Sequence, residues 1–346
     1  MIAIKTLRIF LLTAAIITAA TFFYTKAIGP GESMDSDTVL SVPEAPAVYT
    51  GSQEIFGTEV TQSVYGDGAA EAIQTVNRIL YDIADHWDRE SLSSVPGQIA
   101  ASAGLEPVEL EREDYDLVRR AFALAEETDG LFDPTVGALT QLWQEGEPTA
   151  DKISWALTYT GWEQVVLSDE DCTAWIGHPG IAVDFGAVVK GMAVEKALAA
   201  YQEAGIDGAL LCIDGAAVMT GEKGDGTGFT LGLLDPLAGD GSYYGILSIT
   251  DKVICTADAA SCLLDPSTGY PIDSGLAAVT VVGSDGFLCD AMSSILYMQG
   301  IDAVKAHLNE EHYSVIAVGK NGDVYLSEEM RDYFTLAATK KYRLFD

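Results

Sequence analysis

Asp290 and Ser294 stand four residues apart in "CDAMSSIL", a spacing that puts both oxygens on one face of a helix. Oxygens so placed can ligate one hard divalent cation, although the pair also reads as an N-cap aspartate and an ordinary serine. In "VDFGAVVKG", Lys190 follows Asp184 by six residues, and Gly186 and Gly191 leave the backbone open to close approach. A strand end, a helix N-terminus and a lysine can together hold phosphate, or the aspartate can cap the helix while the lysine is solvated. In "LLDPSTGYP", Pro266 and Pro271 fix φ and remove two donors, while Gly269 admits positive φ. The result is a rigid turn on which Asp265, Ser267 and Thr268 can position oxygens. In "TDGLFDPTVGAL", Gly130 ends a helix and Asp133-Pro134-Thr135 fixes its exit.

These stretches must sit on elements that the apolar periodicity supplies. "EIFGTEVTQSVYG" alternates and reads as a strand, with Gly57 at a close backbone approach. Ile73, Val76, Ile79, Leu80, Ile83 and Trp87 recur at helical spacing, and a Ser/Gly/Ala-rich loop follows. "REDYDLVRRAFALAEETDG" is a second amphipathic helix, and "GIAVDFGAVVKGMAVEKALAAYQEAGID" is a short strand, a turn and a helix from about Lys190 to Ala204. "GALLCIDGAAVMTG", "GFTLGLLDP", "YGILSIT" and "KVICTA" are successive strands, and the stretch after Leu276 is a strand followed by a helix opening near Asp290. Helices between groups of antiparallel strands predict an α+β fold with packed helices.

With 48% apolar residues in 346, the chain can build a real core. Lys5 and Arg8 precede an uncharged stretch from Ile9 to Thr25, which Lys26 closes. That length is short for a membrane span and long for a signal core, and no Ala-x-Ala exit ends it. Residues 1–30 are therefore expected to be a membrane anchor or a signal, the uncleaved anchor with its positive side in the cytoplasm being favoured over a removed signal, and either way the remainder is exported. Residues 31–49 read as a flexible acidic linker, and 50–346 as the folded domain. A net charge of −33 disfavours nucleic acid and anionic lipid as partners. Five scattered cysteines and four unpaired histidines show no zinc spacing.

"FGT", "TDGLFDPTVGALTQLW", "VDFGAVVKG", "LLDPSTGYP" and "CDAMSSILYMQG", in this order from Ile55 to Ala317, resemble the bacterial FAD:protein FMN transferase family, the ApbE-like flavin transferases. The resemblance implies an exported Mg²⁺-dependent enzyme that attaches FMN from FAD to a Thr or Ser of a partner flavoprotein and releases AMP. By the same resemblance, Asp290 and Ser294 match the metal-binding Asp and Thr, with a backbone carbonyl near Ala187 completing the shell. Asp184 and Lys190 match the phosphate region, Thr58 and Thr135 match the ends of two further motifs, and the turn of Asp265 and Thr268 helps close the site.

Three departures from the family pattern bear on chemistry. The hairpin before the Asp-Pro turn is cut short, and Leu263 and Leu264 stand where the family has His-Ile. That histidine is a candidate base for the acceptor hydroxyl, and Asp258, close by in sequence, is the candidate to replace it. The Gly-Gly-Asn after the central strand is Asp214-Gly215-Ala216, and the Asn of the early Ser/Asn loop is Ala100. Two alternatives follow, a Mg²⁺-dependent FAD pyrophosphatase and a non-catalytic membrane-tethered binder of flavin nucleotides.

Overall fold

The computed structural model describes residues 48–345. The expected anchor at 1–30 and nearly all of the linker at 31–49 lie outside the described residues. Among the described residues, no helix is long and apolar enough to cross a membrane. The described residues begin with a hairpin of β1 (Val48–Ile55) and β2 (Thr58–Tyr65), two residues ahead of the predicted boundary at 50. Its turn is Phe56-Gly57, with φ of 57° and 69°, the sign that a two-residue hairpin turn needs to match strand twist. A Cβ at Gly57 would meet open space. The expected single strand with a close approach there is thus corrected to a hairpin with a positive-φ turn.

Then come α1 (Ala69–His86), α2 (Val95–Ala101), β3 (Val108–Glu109), α3 (Arg112–Glu127), α4 (Gly137–Gln144), α5 (Ala150–Leu157), β4 (Val165–Ser168), β5 (Thr173–Ile176) and α6 (Gly186–Ala204). The second half holds β6 (Gly208–Ile213), β7 (Ala216–Gly221), β8 (Leu231–Leu234), β9 (Tyr243–Leu247), β10 (Lys252–Asp258) and β11 (Leu276–Gly283). It closes with α7 (Gly286–Gln299), α8 (Ile301–Ala306), β12 (Tyr313–Gly319), β13 (Asp323–Leu326), β14 (Phe334–Leu336) and β15 (Arg343–Leu344). One sheet runs β1-β2-β6-β7-β10-β11-β12-β13-β15, antiparallel except at its β13/β15 edge. The α+β expectation holds.

Strand alternation divides the core into two layers. On β12, Val315 and Ala317 face the helical layer, where α1, α3, α6 and α7 pack. Ile316 and Val318 face the opposite layer, a small sheet ordered β14-β9-β8. Covered on both sides, β11 is buried at every position. A third small sheet, β3-β5-β4, was not predicted.

Four local expectations are corrected. The Ser/Gly/Ala-rich loop contains α2, because Ser94 caps it by accepting Gly97 N–H at 3.1 Å and Pro96 is tolerated in its first turn. The residues before α6 form no strand, since Asp184 N–H bonds to the Pro134 carbonyl, at 2.7 Å, and not to a neighbouring strand. Helix α6 opens at Gly186, four residues before Lys190. Helix α7 opens at Gly286 and not near Asp290, because Asp285 is its N-cap and accepts Leu288 N–H at 3.0 Å.

Candidate active site

A cavity of about 330 Å³ lies where the start of α6, the middle of α7, the end of β10 and the turn after it converge. Asp184 fixes one wall. Its Oδ1 accepts Gly186 N–H at 2.9 Å, one of the donors left free at a helix start, and its Oδ2 accepts the Thr140 hydroxyl at 2.9 Å. Arg89 approaches the same Oδ2 at 3.5 Å. Further along α6, Lys190 lines the cavity and donates through Nζ to the Asp214 carbonyl at 2.9 Å. An ammonium beside a capped helix start suits a polyanion.

Asp290 and Ser294 enter from α7, one turn apart and 7% and 5% exposed. Asp290 Oδ2 accepts Gly191 N–H at 2.8 Å. Burial pushes the Asp290 carboxyl up to about 6, against the opposing influence of that N–H and of Lys190. Ser293 also lines the cavity, but its hydroxyl is committed to the Asp290 carbonyl at 2.8 Å, whereas Ser294 Oγ makes no hydrogen bond among the described residues. Ala187 lines the same wall.

Residues 56–318 match the profile of the ApbE family. The chain belongs to that family. It is 27% identical over 308 residues to the FAD:protein FMN transferase of Klebsiella pneumoniae, covering 83% of this chain and 94% of that one. It is 24% identical over 244 residues to the FAD:protein FMN transferase of Escherichia coli K12, covering 65% of this chain and 70% of that one. The crystal structure of the ApbE protein of Thermotoga maritima superposes with a TM-score of 0.73 at 25% identity, covering 83% of this chain and 99% of that one. The flavin transferase ApbE of Vibrio cholerae has the same fold, with a TM-score of 0.73 at 21% identity over 83% of this chain and 99% of that one.

In this ApbE-family chain the cavity brings together Asp184, Ala187, Lys190, Asp290 and Ser294 of the residues singled out in the sequence. The other five lie off its wall. Thr58 opens β2. Thr135 is fully buried, donating to Asp133 Oδ1 at 2.7 Å and accepting Gly161 N–H at 2.8 Å, so it locks two loops together. Asp265 Oδ1 accepts the Ser267 amide at 2.8 Å and its hydroxyl at 2.6 Å. Partial burial opposes ionisation of Asp265, but hydrogen bonds from Ser267 and Thr268 outweigh it and hold the carboxyl below the usual range. Thr268 is exposed, and Pro266 is the residue of this turn that reaches the cavity. Asp258 caps the short turn Ala259–Ser261, its Oδ1 accepting the Ala260 and Ser261 amides at 2.8 and 3.2 Å.

Other wall residues were assigned no binding role from the sequence. Thr256 shares a 2.8 Å hydroxyl contact with Thr280 on the neighbouring strand, and Trp143 donates Nε1–H to the Gly269 carbonyl at 2.9 Å. Trp143 closes the stretch "TDGLFDPTVGALTQLW", and an aromatic ending a polar helix face was the available signal. Leu263 and Leu264 line the wall where the family pattern has His-Ile.

Whether a divalent cation fits is decided by the donors. No group of three or more His, Cys, Asp or Glu among the described residues converges as a cage. A buried carboxylate with one uncommitted oxygen, an unpaired hydroxyl one turn on and a nearby backbone nevertheless suit Mg²⁺. That ion takes one or two carboxylates and fills its remaining positions with water and substrate phosphate oxygens. The residues present fit it.

Proposed function

We propose that this protein transfers FMN from FAD to a Thr or Ser hydroxyl of an exported flavoprotein, releasing AMP, with Mg²⁺ held by Asp290, Ser294 and the Ala187 carbonyl. The observation that carries this reading is that those three residues and Lys190 line one cavity at the start of α6. When bound, Mg²⁺ would neutralise the pyrophosphate and polarise the attacked phosphorus. Lys190 adds a second positive charge to the pyrophosphate, and Asp184 holds the α6 start so that its backbone and Lys190 keep one geometry. The acceptor oxygen forms a bond to the FMN phosphorus, the bond from that phosphorus to the AMP oxygen breaks, and the hydroxyl proton passes to a base or to solvent. The apolar wall at Leu263 and Leu264 suits a flavin ring better than a charged group. Residues 1–30 would tether the domain outside the cytoplasm, beside an exported acceptor.

A second reading is favoured by one observation: no histidine lines this cavity. Water needs less positioning than a protein hydroxyl, so FAD hydrolysis to FMN and AMP is the competing outcome. Incubating the protein with FAD, Mg²⁺ and a flavoprotein acceptor separates the two. Transfer gives FMN-labelled acceptor with AMP, whereas hydrolysis gives AMP at the same rate with or without acceptor.

A further inference from the structure

Helices α6 and α7 touch through two glycines. A Cβ on Gly191 would collide with the Gly286 carbonyl and sit 2.7 Å from Asp290 Cβ, and one on Gly286 would collide with the Gly191 carbonyl. With hydrogen in place of both side chains, the backbones meet and two hydrogen bonds cross the contact. Gly191 N–H reaches Asp290 Oδ2 at 2.8 Å, and Gly286 N–H reaches Glu195 Oε2 at 2.6 Å. The arrangement is reciprocal. Glu195 lies four residues after Gly191 and Asp290 lies four after Gly286, so each glycine donates to the carboxylate one turn beyond the other.

Gly286 is the first residue of α7, and its N–H is a donor that the helix itself cannot satisfy. Glu195 satisfies it from the neighbouring helix, and Arg120 of α3 holds the N-cap Asp285 by an ion pair at 2.5 Å. Glu195 lines a different cavity, of about 510 Å³ between α1, α3 and α6, and is not on the wall that carries Asp290. Glu195 therefore acts on the Asp290 site indirectly, across the α6–α7 contact.

We infer that Glu195 is a positioning residue for the Mg²⁺ site: by clamping the α7 start onto α6 it sets where the free oxygen of Asp290 lies. The inference rests on the reading of Asp290 as a metal ligand. Hydrogen-bonding partners that orient ligands typically change metal affinity by one to two orders of magnitude.

The test is calorimetric titration of Mg²⁺ into the full chain with FAD present. Glu195→Ala is expected to weaken Mg²⁺ binding about tenfold, with AMP release recovering at saturating Mg²⁺. Glu195→Gln keeps an acceptor oxygen for Gly286 N–H and is expected to restore most of the affinity. Should Glu195→Ala not fold, Glu195→Asp, one methylene short of Gly286, is expected to show the same loss. A purely structural role would lower the melting temperature of a folded variant without changing its Mg²⁺ affinity. Asp290→Ala is titrated alongside. If it binds Mg²⁺ as the parent does, the metal assignment falls and this inference with it. If it loses Mg²⁺ while folded Glu195→Ala or Glu195→Asp keeps parental affinity, the positioning role alone is overturned.

Discussion

Gly191 N–H donates to Asp290 Oδ2 across 2.8 Å, joining the backbone of one helix to a buried carboxylate of the next. That bond fixes one oxygen of Asp290 and leaves the other for a ligand. It does not fully offset the cost of burying the charge, since the carboxyl is still pushed up to about 6.

Asp290 therefore destabilises the metal-free protein at neutral and alkaline pH. Between the ordinary 3.8 and about 6, the folded state holds a proton that the unfolded chain has released, so stability falls as pH rises through that window. Above it the cost stands at about 3 kcal/mol, the free-energy equivalent of a shift of that size. Asp290→Asn, whose amide oxygen can still accept Gly191 N–H, is expected to stabilise the metal-free protein at pH ~8 by about 1–3 kcal/mol while removing Mg²⁺-dependent AMP release. Denaturant titrations should show that gain disappear at pH ~4, where the aspartate is protonated in the folded state. Equal stabilities at alkaline pH would show that burial does not strain this carboxyl.

Gly191→Ala tests the helix contact itself. Its methyl would overlap the Gly286 carbonyl, so the helices must part. Thermal unfolding is expected to report a loss of about 1–3 kcal/mol, the usual cost of overpacking, with AMP release reduced by more than the loss of folded protein explains. Parental stability and activity would mean that the crossing has slack.

Lys190→Ala removes the cavity ammonium proposed to bind the pyrophosphate. Charge-assisted hydrogen bonds to phosphate are the stronger kind, and losing one is expected to raise KM for FAD about tenfold. Steady-state kinetics in FAD decides it, and an unchanged KM would assign Lys190 to the Asp214 carbonyl alone.

Asp258→Asn separates two roles for one side chain. Asn keeps the oxygen that caps Ala259–Ser261, so an Asp258 that serves as a cap loses little on this change. Turnover is expected to stay within about twofold of the parent, whereas loss of a general base would lower it at least a hundredfold.

The sequence showed which residues carry oxygen and charge, but not how far apart the helices lie. Asp290 and Ser294 are legible from their spacing on one helix, and Asp184 and Lys190 from a glycine-bounded turn into a helix, with the family resemblance beside both. Glu195 was not, because its role depends on a contact with Gly286 from a distant segment, which no local periodicity encodes. Thr135 and Asp265 were legible as turn residues but not as off-wall ones, since only the packed structure shows their oxygens satisfied within their own loops. Helix α7 was misplaced at its start because Asp285 and Asp290 are both plausible caps, and only the Leu288 N–H bond distinguishes them.

FMN transfer is proposed to run through the Asp290 cavity. The most direct measurement incubates the purified protein with FAD, Mg²⁺ and an exported flavoprotein, and reads acceptor mass and AMP together. The acceptor is expected to gain one FMN phosphoester on a Thr or Ser for each AMP released, and chelating Mg²⁺ is expected to stop both. FAD consumed with the acceptor mass unchanged, or labelling that persists without divalent cation, would contradict it.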